Sequence, residues 1–417
     1  MLEPMALTPV CDLFVLCGET SGDAYGAAIV NTLRDQHPEL IVAAMGGEHL
    51  RRAGADIDQG IDGLAVMGLG PVLARLPEFI RLGLRVADLV RSRRPKVVLT
   101  VDYPGFNLRL LRRIADLRRD GTRFVHVVAP QVWAWKPRRA KAIAATVDRL
   151  LCFFPFEPPL FNRFADRSFA GFPGCQAEFV GHPLVDLMAE PRDPAAIEGE
   201  AGLTPGQPFL LLAPGSRPKE IAALLPIYHR AAELIQARIP GIGVAVSRLP
   251  DLPLELYRRS THLPLVDGRY RDLLVRAHVA VIASGTATLE AALAGTPHVI
   301  AYRTDRLTAA VARRVILTEH VGLPNLVAGA RVVPEVLQDQ LTPERLAAHV
   351  LALWQGARRE RCLVDLADVR QRLGGGGAMA RMADIVSSEL LRGERRNTGA
   401  YAPGSVSRSL TETLEKT

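Results

Sequence analysis

The sequence predicts an α/β protein of two domains, each built on a parallel sheet with helices on both faces. The chain has 417 residues, which is enough for two domains of ordinary size. Its 48% hydrophobic and 23% charged residues are typical of a globular protein. Strand-like and helix-like segments alternate along both halves, as expected for parallel sheets. Two such domains leave a cleft between the carboxyl ends of their strands, where open α/β sheets bind ligands.

The first half predicts an N-terminal domain over residues 1–190. Apolar runs predict strands at 12–17, 41–44, 96–101, 123–129 and 150–154. Helical periodicity predicts helices at 23–36, 72–93, 107–119 and 137–146. Residues 187–207 are then rich in Pro, Gly and Glu, and we interpret 191–207 as a linker.

The second half repeats the pattern and predicts a C-terminal domain over 208–392. Its strands are predicted at 208–213, 242–247, 279–283 and 297–302. Its helices are predicted at 218–238, 286–294, 306–318 and, after a run of glycines, 378–391. Residues 393–417 are polar and predict a disordered tail.

The charge and cysteine content narrow the class of protein. A net charge of +7 favours nucleic acid or an anionic membrane surface as partner, unless it only reflects an Arg-rich proteome. The chain lacks an aromatic and basic recognition motif, so nucleic acid ranks last. Its five cysteines form no C-x-x-C pair, which predicts reduced thiols and a cytoplasmic location. No apolar stretch reaches the roughly 20 residues that span a bilayer, so we expect any membrane contact to be peripheral.

The most informative segment is DLFVLCGETSGD at 12–23, an apolar strand followed by a turn and a helix. Such a turn attracts anions, yet this one carries Glu19, which would repel a phosphate. It also lacks the G-x-G-x-x-G spacing of dinucleotide-binding proteins. The turn therefore suits sugar hydroxyls better than a pyrophosphate. The alternative is that Glu19 only accepts hydrogen bonds from nearby backbone N–H groups.

A candidate general base follows another apolar strand in VVLTVDYPGFN at 97–107. Asp102 ends this strand at the sheet edge that should face the cleft, and Pro104 stops the strand. A carboxylate in a half-buried cleft can have a raised pKa and accept a proton. The alternative role for Asp102 is to cap the turn or the next helix.

The second half carries two candidate anion sites. In LLLAPGSR at 210–217, Gly215 and Ser216 form a turn before a helix, and Arg217 adds a cation suited to phosphate oxygens. In VAVIASGTATLE at 279–290, Ser284, Gly285 and Thr286 form a similar turn.

Glu290 lies one helical turn beyond Thr286, so it shares a face with a phosphate site there and could accept hydrogen bonds from ribose hydroxyls. The alternatives are a solvent-facing Arg217 and an ordinary surface Glu290.

Apolar groups suggest contact with lipid. Trp133 and Trp135 are two apart and would share one face of a strand, where they could line an acyl or sugar pocket, anchor at a lipid interface or pack in the core. The uncharged segment GLAVMGLGPVLA at 63–74, which contains Met67, precedes an Arg-rich helix, as in proteins that bind anionic membranes. An amphipathic helix on the sheet is the alternative.

Metal sites are not expected. The Asp56-Ile57-Asp58 triplet has the D-x-D spacing of some metal-dependent sugar transferases, but it does not follow an apolar strand. Histidines such as His182 and His298 lack the spacing of zinc ligands.

Seven segments together resemble the bacterial lipid-A-disaccharide synthase family. They are GETSGD (18–23), VDYPGFN (101–107), PQVWAW (130–135), FVGHPLVD (179–186), PGSR (214–217), ASGTATLE (283–290) and LPNLVAG with VVPEVLQ (323–338). Within the matched pattern, Gly105 stands where many members have a second Asp, which leaves Asp102 as the carboxylate of that motif.

The resemblance implies twin Rossmann-like domains of the GT-B glycosyltransferase type. It implies transfer of 2,3-diacylglucosamine from UDP to 2,3-diacylglucosamine 1-phosphate, with inversion, without metal or cofactor, at the inner face of the cytoplasmic membrane. It leaves a homo-oligomer open.

On this reading the first half binds the acceptor and the second half binds UDP-sugar. Asp102 takes the proton of the acceptor hydroxyl, and Glu19 orients the acceptor or assists the base. Asn325 contacts the donor. The expected acceptor or lipid contacts are Ser21, Met67, Trp133 and Trp135. Two alternatives remain, a transferase or epimerase acting on a soluble UDP-sugar and a basic nucleic-acid-binding protein.

Overall fold

The computed structural model describes residues 10–62, 76–135, 137–190, 193, 196–304 and 318–397. The predicted apolar loop at 63–74, with Met67, lies outside these residues. So does the predicted helix at 306–318, apart from its last residue, and the tail beyond residue 397.

The N-terminal sheet has seven parallel strands in the order β3-β2-β1-β4-β5-β6-β9. These are β1 Leu13–Cys17, β2 Val42–Gly46, β3 Asp56–Gly60, β4 Val97–Val101, β5 Arg123–Val127, β6 Arg149–Cys152 and β9 Gln176–Phe179. A small antiparallel pair joins β7 Ser168–Phe169 to β8 Phe172–Pro173. The helices between them are α1 Thr20–Gln36, α2 Glu48–Arg52, α3 Leu76–Arg93, α4 Pro104–Arg113, α5 Val132–Trp135, α6 Arg139–Ala144, α7 Pro158–Asn162 and α8 Leu184–Ala189, with a 3-10 turn at Ala115–Arg118.

The C-terminal sheet has six parallel strands in the order β12-β11-β10-β13-β14-β15. These are β10 Phe209–Ala213, β11 Gly243–Arg248, β12 Leu265–Asp267, β13 Val279–Ala283, β14 His298–Tyr302 and β15 Glu335–Leu337. The helices are α9 Ala196–Glu200, α10 Pro218–Gln236, α11 Leu254–Arg258, α12 Tyr270–Arg276, α13 Thr286–Leu293, α14 Leu323–Ala328, α15 Pro343–Trp354, α16 Ala357–Arg372 and α17 Ala378–Asn397, with a 3-10 turn at Gln338–Gln340.

Both sheets have the doubly wound order of a Rossmann fold, so the predicted α/β fold class with two parallel sheets is confirmed. In each sheet the order reverses between two fully buried strands, β1 and β4 in the first and β10 and β13 in the second. Ligands of such sheets bind outside the carboxyl ends of the strands at this point of reversal. The four turns singled out from the sequence follow these four strands.

The last helix belongs to the other domain than predicted. Helix α17 packs its apolar face, including Met382 and Val386, in the core of the N-terminal sheet against α1. Its fully buried Glu389 accepts a 2.8 Å hydrogen bond from Arg123 and pairs with Arg149. The helix also runs through Asn397, past the predicted start of the tail at 393. The sequence pattern showed a helix but not which sheet its apolar face would cover.

The predicted linker also contains part of a domain. Ile197, Ala201 and Leu203 are buried in the C-terminal core with Phe209, so the segment from 196 onward is packed. Phe154 belongs to the N-terminal half of the sequence, but its side chain is also buried in the core of the C-terminal domain. The segment was predicted to be a linker because it is rich in Pro and Gly, and its few buried apolar residues are too widely spaced to form an apolar run.

The D-x-D triplet has a structural role in this fold. Both carboxylates, Asp56 and Asp58, bond to the buried guanidinium of Arg93, whose Nε lies 2.8 Å from Asp58 Oδ2. Within the described part of the chain, no group of three His, Cys, Asp or Glu residues is arranged to hold a metal. All five cysteines are buried and free, as expected for reduced thiols.

None of the helices in the described ranges is long and apolar enough to cross a membrane.

Candidate functional site

Glu19 leaves strand β1 at the point where the N-terminal strand order reverses. It is the N-cap of α1, with extended backbone, and its side chain makes no capping hydrogen bond. Burial raises the pKa of Glu19, and the nearby Asp102 carboxylate raises it further. Because the Glu19 side chain accepts no capping hydrogen bond, the alternative in which it only binds nearby backbone N–H groups finds no support, and its role at the site stays a prediction. Ser21, an exposed residue in the first turn of α1, lies beside it.

Asp102 leaves strand β4, next to β1, on strained backbone. Asp102 and Tyr103 both have positive φ, +47° and +49°, a region that non-glycine residues seldom occupy. Such strain persists only where the surroundings enforce it, and it clusters at functional sites. The ring of Tyr103 lies over Gly18, where an added Cβ would come within 2.2 Å of the ring. Position 18 therefore requires glycine, because any side chain there would collide with the ring.

Asn107 holds the backbone of this turn in place. Its buried amide donates to the carbonyl of Asp102 at 2.7 Å and to that of Val101 at 3.3 Å. The N–H of Asp102 donates to Val127 O at 2.9 Å, which ties the turn to strand β5. Asn107 lies inside the VDYPGFN motif but is not among the site residues predicted from the sequence.

Among the residues that the structure describes, the carboxylates of Glu19 and Asp102 have no cationic partner. Burial raises the pKa of Asp102, while a hydrogen bond from the Tyr103 backbone lowers it. Neither Glu19 nor Asp102 forms an ion pair within the described ranges. A raised pKa makes the ionised form of each carboxylate a stronger base, which favours proton transfer from a hydroxyl to Asp102.

The turn after β13 provides backbone donors at the point of reversal in the C-terminal sheet. Gly285 is the N-cap of α13 with φ of +152°, and neither it nor Thr286 is buried. Ser284 precedes them, with its N–H bonded to Ala301 O at 3.0 Å. Gly285 and Thr286 are thus exposed at the start of α13, where helix N-termini bind phosphate.

The turn after β10, predicted to be an anion site, is capped by a carboxylate of the chain itself. Glu220 accepts hydrogen bonds from the N–H groups of Ser216 at 3.2 Å and Arg217 at 3.3 Å. Its other oxygen accepts from the Arg217 guanidinium at 2.8 Å. Gly215 has φ of +109° and lies against the same carboxylate. Glu220 was missed, although a Glu three residues after a helix N-cap is a capping signal.

Glu290 forms an ion pair with Arg271 near a tyrosine of the other half. Both the Nε and a terminal nitrogen of Arg271 donate to one oxygen of Glu290, at 3.1 and 3.0 Å. Burial raises the pKa of Tyr25 on α1, and that pKa also responds to Glu290, Arg271 and Asp102. Tyr25 therefore lies within electrostatic reach of groups from both sheets. Nothing in the spacing of the sequence pointed to Tyr25 or Arg271.

Asn325 forms its hydrogen bonds within the C-terminal half. Its fully buried amide donates to Val333 O at 2.9 Å and Glu335 Oε1 at 2.7 Å, and its oxygen accepts from the N–H groups of Val332 and Val333. The donor contact of Asn325 stays a prediction, and it would require one of these bonds to be exchanged, because each hydrogen-bonding position of the amide is used.

The two tryptophans lie on the short helix α5, not on one face of a strand as predicted. Pro130 and the helix-type turn after β5 account for the difference. Trp133 donates to Glu157 at 3.2 Å and packs edge-on against Phe156. Burial raises the pKa of Glu157 to about 7, and the Trp133 hydrogen bond lowers it in part. Trp133 is thus held by the loop that follows β6. Trp135 ends the same helix.

The chain is similar to known proteins over most of its length. A family described as lipid-A-disaccharide synthetase matches residues 13–381. The lipid-A-disaccharide synthase of Myxococcus xanthus is 38% identical over 380 residues, which cover 90% of this chain and 96% of that protein. Among solved structures, a putative UDP-N-acetylglucosamine 2-epimerase from Listeria monocytogenes superposes with a TM-score of 0.59 at 13% identity, covering 91% of this chain and 97% of that chain. The calicheamicin glycosyltransferase CalG4 superposes with a TM-score of 0.54 at 17% identity, covering 96% and 100%.

Proposed function

The chain belongs to the lipid-A-disaccharide synthase family, and from this premise we propose how its cleft performs the reaction. The protein is a glycosyltransferase that makes the lipid A disaccharide by joining UDP-2,3-diacylglucosamine to 2,3-diacylglucosamine 1-phosphate, with release of UDP. The proposal concerns the residues that carry out this transfer and the place where it occurs.

Asp102 acts as the general base. The observation that carries this assignment is the strained turn that presents Asp102, without a cationic partner, beside Glu19 at the reversal point of the N-terminal sheet. In the reaction, the acceptor 6-hydroxyl attacks the anomeric carbon of the donor and transfers its proton to an Asp102 oxygen. The bond from that carbon to the UDP oxygen breaks with inversion. Glu19 accepts hydrogen bonds from acceptor hydroxyls and orients the sugar.

The C-terminal edge binds the UDP moiety. The N–H groups at the start of α13, with Ser284, Gly285 and Thr286, face the diphosphate and stabilise the charge that develops as it departs. Arg217 adds a guanidinium to the same anion after it exchanges Glu220 for phosphate oxygens. Glu290, oriented by Arg271, accepts from the ribose hydroxyls through its second oxygen. Holding both substrates in line provides much of the rate.

The reaction takes place at a membrane surface because both substrates carry acyl chains. We place the protein there as a peripheral protein, on the side that faces the cytoplasm. Sedimentation with anionic vesicles, in the presence and absence of salt, tests this location, because electrostatic attachment weakens as salt screens the charges.

Product mass is the decisive measurement for the reaction. The purified protein is incubated with UDP-2,3-diacylglucosamine and 2,3-diacylglucosamine 1-phosphate in detergent, with EDTA in one arm. We expect a tetraacyl disaccharide monophosphate and an equal amount of UDP in both arms. Product that disappears with EDTA would overturn a metal-independent mechanism. No product, with UDP binding intact, would overturn the choice of substrates.

A further inference from the structure

An apolar cavity of about 470 Å³ lies between helices α3 and α4, beside the Asp102–Tyr103 turn. Its walls include Tyr103 and Phe106 from the turn and from α4, and several aliphatic residues of α3. The ring of Tyr103 stacks on Gly18 at one side and lines the cavity at the other. The cavity is therefore continuous with the turn that carries the proposed base, and it has a volume in the range of small-molecule sites.

One face of α3 exposes large aliphatic side chains to this cavity. Leu76, Ile80 and Leu84 are 38%, 56% and 37% exposed, and all three line the cavity. Their spacing of four places them on one face of the helix, above one another. Single exposed aliphatic residues are common on protein surfaces, but a contiguous row of them beside a concave surface indicates a binding surface.

Two glycines keep the cavity open. Gly83 lies inside α3, where glycine is disfavoured relative to alanine, and a Cβ there would meet Phe106 at 3.8 Å. Gly105 lies in the first turn of α4, where an added Cβ would meet no atom within 4 Å. Larger residues at these positions would project into free space that the fold does not need for its own packing.

Two arginines lie at the polar rim of the same cavity. Arg109 and Arg113 are one helical turn apart on α4, and both are exposed. Their guanidinium groups form neither an ion pair nor a hydrogen bond with the residues that the structure describes. A pair of uncommitted guanidinium groups beside an apolar cavity matches a molecule with an anionic head and a hydrocarbon chain.

We propose that this cavity holds an acyl chain of the acceptor lipid, while Arg109 and Arg113 bind the acceptor phosphate. The inference rests on the proposed function, since it assigns a subsite to that reaction. An acyl chain bound in the cavity places the attached sugar against Tyr103. The sugar then lies within reach of Asp102, the residue before Tyr103. The cavity thereby fixes the acceptor through the part of the lipid that does not react. A phospholipid of the membrane is the competing occupant.

Gly83→Leu tests the cavity without removing any polar group. The leucine fills the cavity and favours the helix more than glycine does, so we expect the variant to fold. Excluding two methylene groups from an apolar site corresponds to roughly a tenfold loss of affinity. The matched control is Asp88→Leu, on the same helix roughly 140° away, where the carboxylate side chain is 81% exposed.

The measurement is equilibrium binding of radiolabelled 2,3-diacylglucosamine 1-phosphate without donor, followed by the KM for the same lipid with donor. We expect Gly83→Leu to weaken binding and raise this KM about tenfold, with the KM for the donor unchanged, and Asp88→Leu to leave both at the wild-type value. We expect Arg109→Gln, an exposed change that should not affect folding, to weaken binding of the phosphorylated acceptor roughly tenfold.

Several outcomes would overturn the proposal. Product formation with no effect of Gly83→Leu on acceptor binding would leave the glycosyl transfer standing and remove this subsite. Equal, Gly83-dependent binding of phosphatidylglycerol would assign the cavity to a membrane lipid instead. Acceptor binding that depends on Gly83 in a protein that forms no disaccharide would support the subsite and contradict the proposed function.

Discussion

The two halves of the molecule share one strand order, but the acids at their equivalent turns differ in whether they are paired with an arginine. In the N-terminal half, Glu19 and Asp102 follow β1 and β4, and the pKa of each is raised by burial. In the C-terminal half, Glu220 and Glu290 lie in the helices that follow β10 and β13, and each is paired with an arginine. The fold thus determines where ligands bind, and local pairing of side chains determines which chemistry each edge can perform.

The difference separates proton transfer from anion binding. A carboxylate without a cation, close to a second carboxylate, holds its proton more tightly and can serve as a base. A carboxylate paired with arginine neutralises that arginine until a better anion arrives, so the C-terminal edge can exchange its own glutamate for a diphosphate. Each prediction below alters one side of this comparison.

Asp102→Asn should produce the largest effect. The amide cannot accept the hydroxyl proton, so we expect kcat to fall by about 10²–10⁴ while the affinity for UDP stays at the wild-type value. Steady-state kinetics and calorimetric titration with UDP measure the two quantities. Asp120→Asn is the matched control, because Asp120 precedes β5 at the opposite edge of the sheet. Near-normal turnover in Asp102→Asn would show that the base is another group.

Asn107→Ala should lower turnover by up to about a hundredfold, because loss of its hydrogen bonds lets the strained Asp102 turn relax by a fraction of a bond length. We expect the KM for the donor to change little. Asn162→Ala is the control, since Asn162 also makes two amide hydrogen bonds, to Ala177, away from the cleft. If both variants lose similar stability and similar activity, Asn107 has no positioning role.

Arg217→Gln and Glu220→Gln should move the affinity for UDP in opposite directions. Loss of a charge-assisted hydrogen bond from the exposed Arg217 should weaken UDP binding roughly tenfold. Glu220→Gln removes the carboxylate that competes with the diphosphate, so we expect tighter binding by a few-fold. Weaker UDP binding in both variants would mean that Glu220 positions Arg217 in the complex and is not exchanged for phosphate.

The parallel sheets and the four candidate turns were predictable from the sequence because they depend on local signals. Apolar runs such as Leu13–Cys17 and Val97–Val101 end at a turn with Gly or Pro, and a helix follows. The ends of these strands can therefore be located from the sequence. Edge strands such as β3, with the sequence DIDQG, have no apolar run and were missed.

The partners of the site residues could not be predicted in the same way. The Arg271–Glu290 pair joins residues 19 positions apart, and the proximity of Tyr25 to Glu290 spans two domains. Such contacts depend on the packing of helices and not on spacing along the chain. For the same reason, the amphipathic pattern of α17 predicted a helix but not its place on the N-terminal sheet.

Glu157 provides the smallest effect on activity and the sharpest test of the N-terminal electrostatics. Like Glu19 and Asp102, it is an acid of this half whose pKa is raised by burial; it is 1% exposed and accepts hydrogen bonds from the N–H groups of Trp133 and Phe154. Burial raises its pKa from 4.5 to about 7. Between these two pH values the folded protein keeps a proton that the unfolded chain has lost, so the free energy of unfolding falls as pH rises through this window.

Glu157→Gln removes that proton and should remove its share of the pH dependence. Relative to wild type, we expect the variant to gain stability from pH 4.5 to 7, by at most about 3 kcal/mol, and then to stay level. Turnover should remain near the wild-type value because the amide oxygen can still accept from Trp133. Denaturant unfolding of both proteins at several pH values gives the difference directly.

Parallel curves of the free energy of unfolding against pH would mean that Glu157 is ionised in the folded protein at acidic pH, and that a cation or water offsets its burial. The contrast between acids without a cationic partner and acids paired with arginine would then apply only to Glu19 and Asp102, compared with Glu220 and Glu290.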